Sequence, residues 1–216
     1  AAVDDVVLEA ATGAFHVVGS PAIGLSWADV LACLGERGGS DDPDGPDGLT
    51  GLVADHDFAT TQATYPFGAH VAIVDVDVET GDVRLLRLVA CDDAGRVLNP
   101  LLAEGQRHGG LAQGAAQALY EHVAFDPDGN PLTTNFADYA VVSAAELPSF
   151  ELVDMETPTW VNPLGAKGIG ESGTIGATPA IQNAVCDALG HLGVRHVDMP
   201  CTPERVWRAI RVAAAG

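Results

Sequence analysis

Between Asn162 and Gly173 the chain reads Asn-Pro-Leu-Gly-Ala-Lys-Gly-Ile-Gly-Glu-Ser-Gly, and neither an ordinary helix nor a central strand can be built from it. Proline removes a backbone donor and fixes φ, while the glycines make any regular element entropically costly. What remains is a loop whose N–H groups can approach a ligand closely, with a helical pattern starting behind it. Lys167 in this stretch is the only lysine among the 216 residues. Glu171 follows in the same glycine-rich run, and a carboxylate held there near an anionic ligand is a candidate general base. The competing reading is a glycine-rich turn that caps the next helix, with Glu171 adding a favourable N-terminal charge.

Composition narrows the classes of function. A hydrophobic content of 47% in 216 residues supports a real core in one large domain or two small ones. Thirty acidic residues against 10 basic ones give a net charge of -20, which disfavours nucleic acid and anionic membrane surfaces as partners. No apolar run reaches the ~18–20 residues of a membrane span. The opening Ala1 to Phe15 carries Asp4, Asp5 and Glu9 and lacks the basic start of a signal peptide. The missing initiator methionine suggests a processed chain or an expressed fragment. Cys33, Cys91, Cys186 and Cys201 lie far apart without a C-x-x-C pair, so a reduced, cytoplasmic setting is expected, with Cys186 in the core.

The pattern along the chain predicts an α+β architecture of mixed strands and helices in two parts, 1–60 and 61–216. The first part holds short strands over Asp5 to Leu8 and Ala14 to Val18 and a helix from Ser26 to Leu34, started by Ser26 and Asp29 as a capping box. Residues 38–48, rich in Gly, Pro and Asp, predict a mobile acidic surface loop. In the second part Ala69 to Val78 and Asp82 to Ala90 predict a hairpin across the Glu79 to Asp82 turn. Asp92 to Arg96 is read as a turn and Asn99-Pro100 as a further break. Leu101 to Val123 predicts a helix, Thr133 to Val142 an extended segment and Phe150 to Thr157 a strand. Pro179 to Leu189 predicts a helix, and residues 202–213 a last one, capped by Thr202 with Pro203 at its first position. Tyr120, Phe136 and Trp160 are assigned to the core. Arg205, Arg208 and Arg211 form a basic stripe that is either solvated or docks on an acidic neighbour.

Three segments combine into a resemblance. They are Tyr65 to Val76, running into the hairpin; Asp92 to Pro100, continuing through Glu104-Gly105-Gln106-Arg107-His108-Gly109-Gly110-Leu111-Ala112-Gln113-Gly114; and Asn162 to Gly173 with its helix. In this order they resemble the C-terminal part of the molybdenum-binding large subunit of the xanthine dehydrogenase family, above all the branch with aerobic carbon monoxide dehydrogenase. The resemblance implies a molybdopterin cofactor carrying molybdenum, extended by cytosine dinucleotide, and a glutamate base beside the metal that aligns with Glu171. It implies that Gln106 and the loop Lys167, Gly168, Ile169 and Gly170 line the cofactor. Lys167 is then either an offset for anionic charge or a surface lysine. His108 either contacts the cofactor or packs, and Gln113 is equally open. The family's subunit is several times longer than this chain.

The resemblance thus implies an oxidoreductase acting on a small molecule as part of a complete enzyme. Its partners would be the remainder of the molybdenum subunit, an FAD subunit and an iron–sulfur subunit. The alternative is a non-catalytic assembly or cofactor-binding module that keeps the fold.

Overall fold

A computed structural model describes residues 2–36, 57–60 and 62–215 and divides the chain into two compact units, Ala1–Ala59 and Thr60–Gly216. The predicted loop over 38–48 lies outside the described residues. In the first unit β1 (Val6–Glu9), β2 (Ala14–Val17) and β3 (Ser20–Ser26) form an antiparallel sheet in that order. β3 was not expected from the sequence, because its Ser-Pro-Ala-Ile-Gly run lacks the β-branched repetition of a strand. α1 spans Trp27–Glu36. Its start is the expected capping box: the Asp29 carboxylate accepts from the Ser26 backbone N–H at 2.8 Å, and the Ser26 hydroxyl accepts from the Asp29 N–H at 3.2 Å. Phe15 and Trp27 meet edge to face with ring centroids 4.6 Å apart.

The second unit is built on the hairpin of β4 (Phe67–Val76) and β5 (Val83–Asp93), with β6 (Glu151–Met155) added parallel to β5. A bulge between Ile73 and Val74 shifts the register so that Ile73 faces Arg87 while Val74 faces Leu85. One slipped residue would otherwise turn half of β5 outward. With the bulge, Val83 and Leu85 on one side of it and Leu88 and Ala90 on the other all enter the same core. The opposite face keeps Val71, Ile73 and Val153 exposed. β5 runs past the predicted Asp92 turn, and the reason is a set of side-chain partners described below.

α2 (Pro100–Leu119) and α3 (Ser172–Leu189) pack together, and both contribute to the core: Leu111, Ala115 and Ala118 from α2; Ile181, Val185 and Leu189 from α3. Asn99-Pro100 starts α2 rather than merely breaking the chain: the Asn99 side chain accepts from Leu102 N–H, and Pro100 needs no donor in the first turn. The helices approach through small residues. A Cβ on Gly110 would lie 3.0 Å from Gly173 Cα, and one on Gly173 would lie 2.9 Å from the Arg107 carbonyl oxygen. The Thr174 and Thr178 hydroxyls then donate to the Gly110 and Gly114 carbonyls at 3.1 and 3.4 Å. This contact draws α3 back to Ser172, well before the expected start at Pro179, which sits inside the helix on its exposed side.

α4 (Pro203–Ala215) closes the core with Val206. Its arginines do not form one solvated stripe. Arg205 donates to the Met199 and Pro200 carbonyls, Arg208 pairs with Glu204 at 2.6 Å, and Arg211 lies 5.0 Å from the Trp207 ring. Thr133 to Val142 has turns and bends but no strand. Phe136 and Trp160 are 86% and 90% exposed, so neither belongs to the core of this chain; both sit on irregular connections that no element covers. Tyr120 does pack against the core, as do the half-buried Cys186 and the buried Cys201.

Gly110→Val is expected to lower the unfolding free energy by about 1–3 kcal/mol, since overpacking against a backbone cannot be relieved by a rotamer change. Gly109→Val, where a Cβ meets open space, is the control and should change it by less than ~1 kcal/mol. Denaturant titration of the two variants checks this.

Candidate functional site

β5 ends in two consecutive carboxylates, and strand geometry points them to opposite faces of the sheet. Asp92 faces the helices. The His70 Nε2–H donates to its Oδ1 at 2.9 Å, and Arg107 Nε donates to Oδ2 at 3.3 Å. Arg107 continues to Asp154 at 2.7 Å and to the Ala90 and Val153 carbonyls at 3.1 and 2.7 Å. Burial raises the Asp92 pKa, but the His70 and Arg107 partners outweigh it and hold the carboxyl below its ordinary value. One guanidinium thereby joins α2 to β5 and β6. The His70 ring lies against Gly176 of α3, where a Cβ would overlap it.

Asp93 faces the other way. Its Oδ1 accepts from the Gly95 N–H at 2.8 Å and from Lys167 Nζ at 3.1 Å. Lys167 is itself almost buried, with Nζ 4.5 Å from the centre of the Phe67 ring. The backbone follows: Lys167 N–H donates to Ala94 O at 2.7 Å and Arg96 N–H to Gly165 O at 2.9 Å. Asn162 braces the same turn, exchanging hydrogen bonds with Ala166 at 2.8 and 3.2 Å. Burial alone would raise the Asp93 pKa; the Thr157 hydroxyl beside it, the Gly95 N–H and the Lys167 ammonium bring it down to about 2. Asp93 Oδ2 is buried and has no hydrogen-bond partner among the described residues.

These anchors bring several of the sequence-predicted residues together. Gln106, Lys167 and Ile169 line a cleft of about 200 Å³ together with Ala94, Arg96 and Asn99. A Cβ on Gly170 would lie 3.5 Å from Gln106 Nε2, and one on Gly168 would meet open space. An adjoining cleft of about 420 Å³ shares Ala94, Val97, Ala103 and Ile169 and is bounded by Arg107 and Glu104. A further cleft of about 750 Å³, along α4, shares no lining residue with either. Glu171 stands at the N-cap of α3 with φ −107° and ψ −11°, its side chain makes no cap hydrogen bond, and it is exposed. The capping reading of Glu171 therefore has no hydrogen bond behind it. The dry surroundings expected of a base are not supplied by this chain's own described residues.

His108 lines neither cleft; its ring packs 5.9 Å from that of Phe150 and lies 3.6 Å from Glu104. The Gln113 carboxamide oxygen lies 3.4 Å from the Thr174 hydroxyl, in the first turn of α3. Sequence reasoning passed over Arg107, His70, Asp92, Asp93 and Arg96. Arg107 did leave a signal: it shares a helix face with Leu111, Gly114 and Ala118, and a charge on an apolar stripe requires a buried partner.

Residues 2–148 match the family model described as the molybdopterin cofactor-binding domain, and the chain belongs to that family. It is 42% identical over 167 residues to the carbon monoxide dehydrogenase large chain of Hydrogenophaga pseudoflava, covering 77% of this chain and 21% of the relative. It is 37% identical over 209 residues to the nicotine 6-hydroxylase large subunit of Paenarthrobacter nicotinovorans, covering 96% of this chain and 25% of that one. Among solved structures, the carbon monoxide-reduced Cu,Mo-CO dehydrogenase superposes with a TM-score of 0.82 at 34% identity, over 97% of this chain and 25% of its own. Quinoline 2-oxidoreductase from Pseudomonas putida 86 gives 0.85 at 36% identity, over 98% and 26%. The chain thus spans about a fifth to a quarter of the relatives it matches. The likeness to the solved structures confirms the α+β fold and extends through the glycine loop, beyond the limit of the family model.

Arg107→Met is expected to destabilise the chain by about 3–5 kcal/mol, because it leaves the buried Asp92 with His70 alone and the Ala90 and Val153 carbonyls without their donor; thermal and denaturant unfolding check this. Asp93 gives a pH test. Its folded pKa of about 2 lies below the ordinary 3.8. Its contribution is therefore full above the ordinary value and is lost as pH falls toward the folded one. Unfolding measured from pH 5 downward should show a steeper acid loss in the parent than in Asp93→Asn.

Proposed function

We propose that this chain is part of a molybdenum hydroxylase large subunit and supplies the catalytic base Glu171 together with one wall of the cofactor pocket. The observation that carries the reading is the convergence of Gln106 with Lys167, Ile169 and Gly170 around one cleft, with Glu171 at the end of the same fixed loop. The residues present suit a pterin. Gly168 and Gly170 leave backbone donors approachable, the Gln106 carboxamide offers a donor and an acceptor, and Arg96 lines the cleft as a cation. Lys167 would contribute its backbone and stem to the wall, since its ammonium is held by Asp93. Gln106 and the loop from Lys167 to Gly170 would orient molybdopterin, in its cytosine dinucleotide form. When bound, the molybdenum it carries supplies the two-electron acceptor. Glu171 would accept a proton at its carboxylate while a small-molecule substrate is oxidised at an electron-poor carbon.

The remainder of the subunit would cover Glu171 and exclude water. An FAD subunit and an iron–sulfur subunit would receive the electrons. The likeness to large subunits of carbon monoxide dehydrogenase and nicotine 6-hydroxylase supports the presence of further subunits. Four free cysteines accord with a cytoplasmic enzyme.

In the complete enzyme Glu171→Gln keeps size and hydrogen bonding and removes the proton acceptor. Loss of a general base costs ~10²–10⁴-fold in rate, so turnover per molybdenum should fall by at least that range while cofactor content stays near normal. Turnover within a few-fold of the parent would remove Glu171 from the mechanism and leave a cofactor-binding module without a base.

A further inference from the structure

Gln106 and Glu171 are each close in the chain to a residue that is tied to β5. Gln106 precedes Arg107, whose guanidinium is bound to Asp92. Glu171 follows Lys167 along the chain, and Lys167 is bound to Asp93. We propose that Asp92 and Asp93 are positioning residues that set the two site residues relative to one another, and that Lys167 serves as the latch on the Glu171 side rather than as a cation facing the ligand. This deepens the proposed function and rests on Glu171 being the base.

The geometry of the loop requires such a latch. From Gly168 to Gly170 two of three residues are glycines, each with more backbone freedom than any other residue, and a Cβ on Gly168 would touch nothing. A span like this holds a defined path only if both ends are fixed. The far end is fixed by the buried Ser172, whose hydroxyl donates to Ile169 O at 3.1 Å. The near end is fixed by Lys167 twice: its N–H on Ala94 O and its ammonium on Asp93, whose side chain is 0% exposed against 9% for the lysine. A pair exposed to water would hold little. This one is shielded, and its alternative is an uncompensated carboxylate in the interior. Asp92 performs the matching task for the helix, where Arg107 spends all three guanidinium nitrogens on β5 and β6. The two carboxylates are adjacent in one strand, so the spacing of the helix and the loop is carried by a single peptide unit.

Two measurements test the latch. In the 216-residue chain, amide hydrogen exchange of Lys167→Met should rise at least tenfold across 165–171 and stay unchanged in α4; Lys167→Arg, which keeps the charge, should restore most of the protection. Unchanged exchange over 165–171 in Lys167→Met overturns the proposal. In the complete enzyme, Lys167→Met should lower kcat at least tenfold with KM and molybdopterin content near the parent values. If Lys167 acts through Glu171, the double variant Lys167→Met/Glu171→Gln should be no slower than Glu171→Gln alone. Additive losses would mean a general structural role and overturn it. Should Asp93→Asn fail to fold, the lysine variants still decide. Intact turnover in Glu171→Gln would defeat the assignment of the base, while the exchange result would still report on the latch.

Discussion

Two adjacent carboxylates at the end of β5 hold this molecule's candidate site together. A buried carboxylate is costly unless it is paired and hydrogen-bonded. Asp92 and Asp93 meet that requirement by recruiting different parts of the chain. Asp92 takes His70 from β4 and Arg107 from α2; Asp93 takes the Gly95 N–H and Lys167 from the glycine loop. Because consecutive strand residues face opposite sides, the sheet edge separates the two networks while keeping them a fixed distance apart.

Helix packing supplies the second constraint. Gly110, Gly114 and Gly173 let α2 and α3 approach to backbone contact, with threonine hydroxyls returning hydrogen bonds across the gap. Glu171 and Gln106 are both placed by this crossing, since one caps α3 and the other lies on the first turns of α2. The same crossing explains why α3 begins early: Ser172 and Gly173 gain packing that outweighs the poor helix propensity of glycine.

The chain leaves much apolar surface uncovered. The outer sheet face carries Val71, Ile73 and Val153, and Phe136 and Trp160 stand in water on irregular connections. The relatives it matches are nearly four times longer. The exposed Glu171 and the bare outer sheet accord with the proposal that this chain works as part of a larger subunit.

From the sequence alone several features followed. Alternation and a Glu-Thr-Gly-Asp turn revealed the hairpin; Ser26 with Asp29, and Thr202 with Pro203, marked helix starts; the glycine-rich loop and the Gln106 motif marked the candidate site. These signals are local, because caps, turns and periodicity depend on neighbours a few residues apart. Tertiary structure decided the rest. The Lys167 ammonium is held by Asp93, far off in sequence, because a buried carboxylate needs a partner. Asp92 and Asp93 read as a turn but extend a strand, since what stabilises them there comes from His70, Arg107 and Lys167. Phe136 and Trp160 read as core because they are aromatic, yet burial is a property of what lies opposite a side chain, and no sequence pattern within their own segments records that.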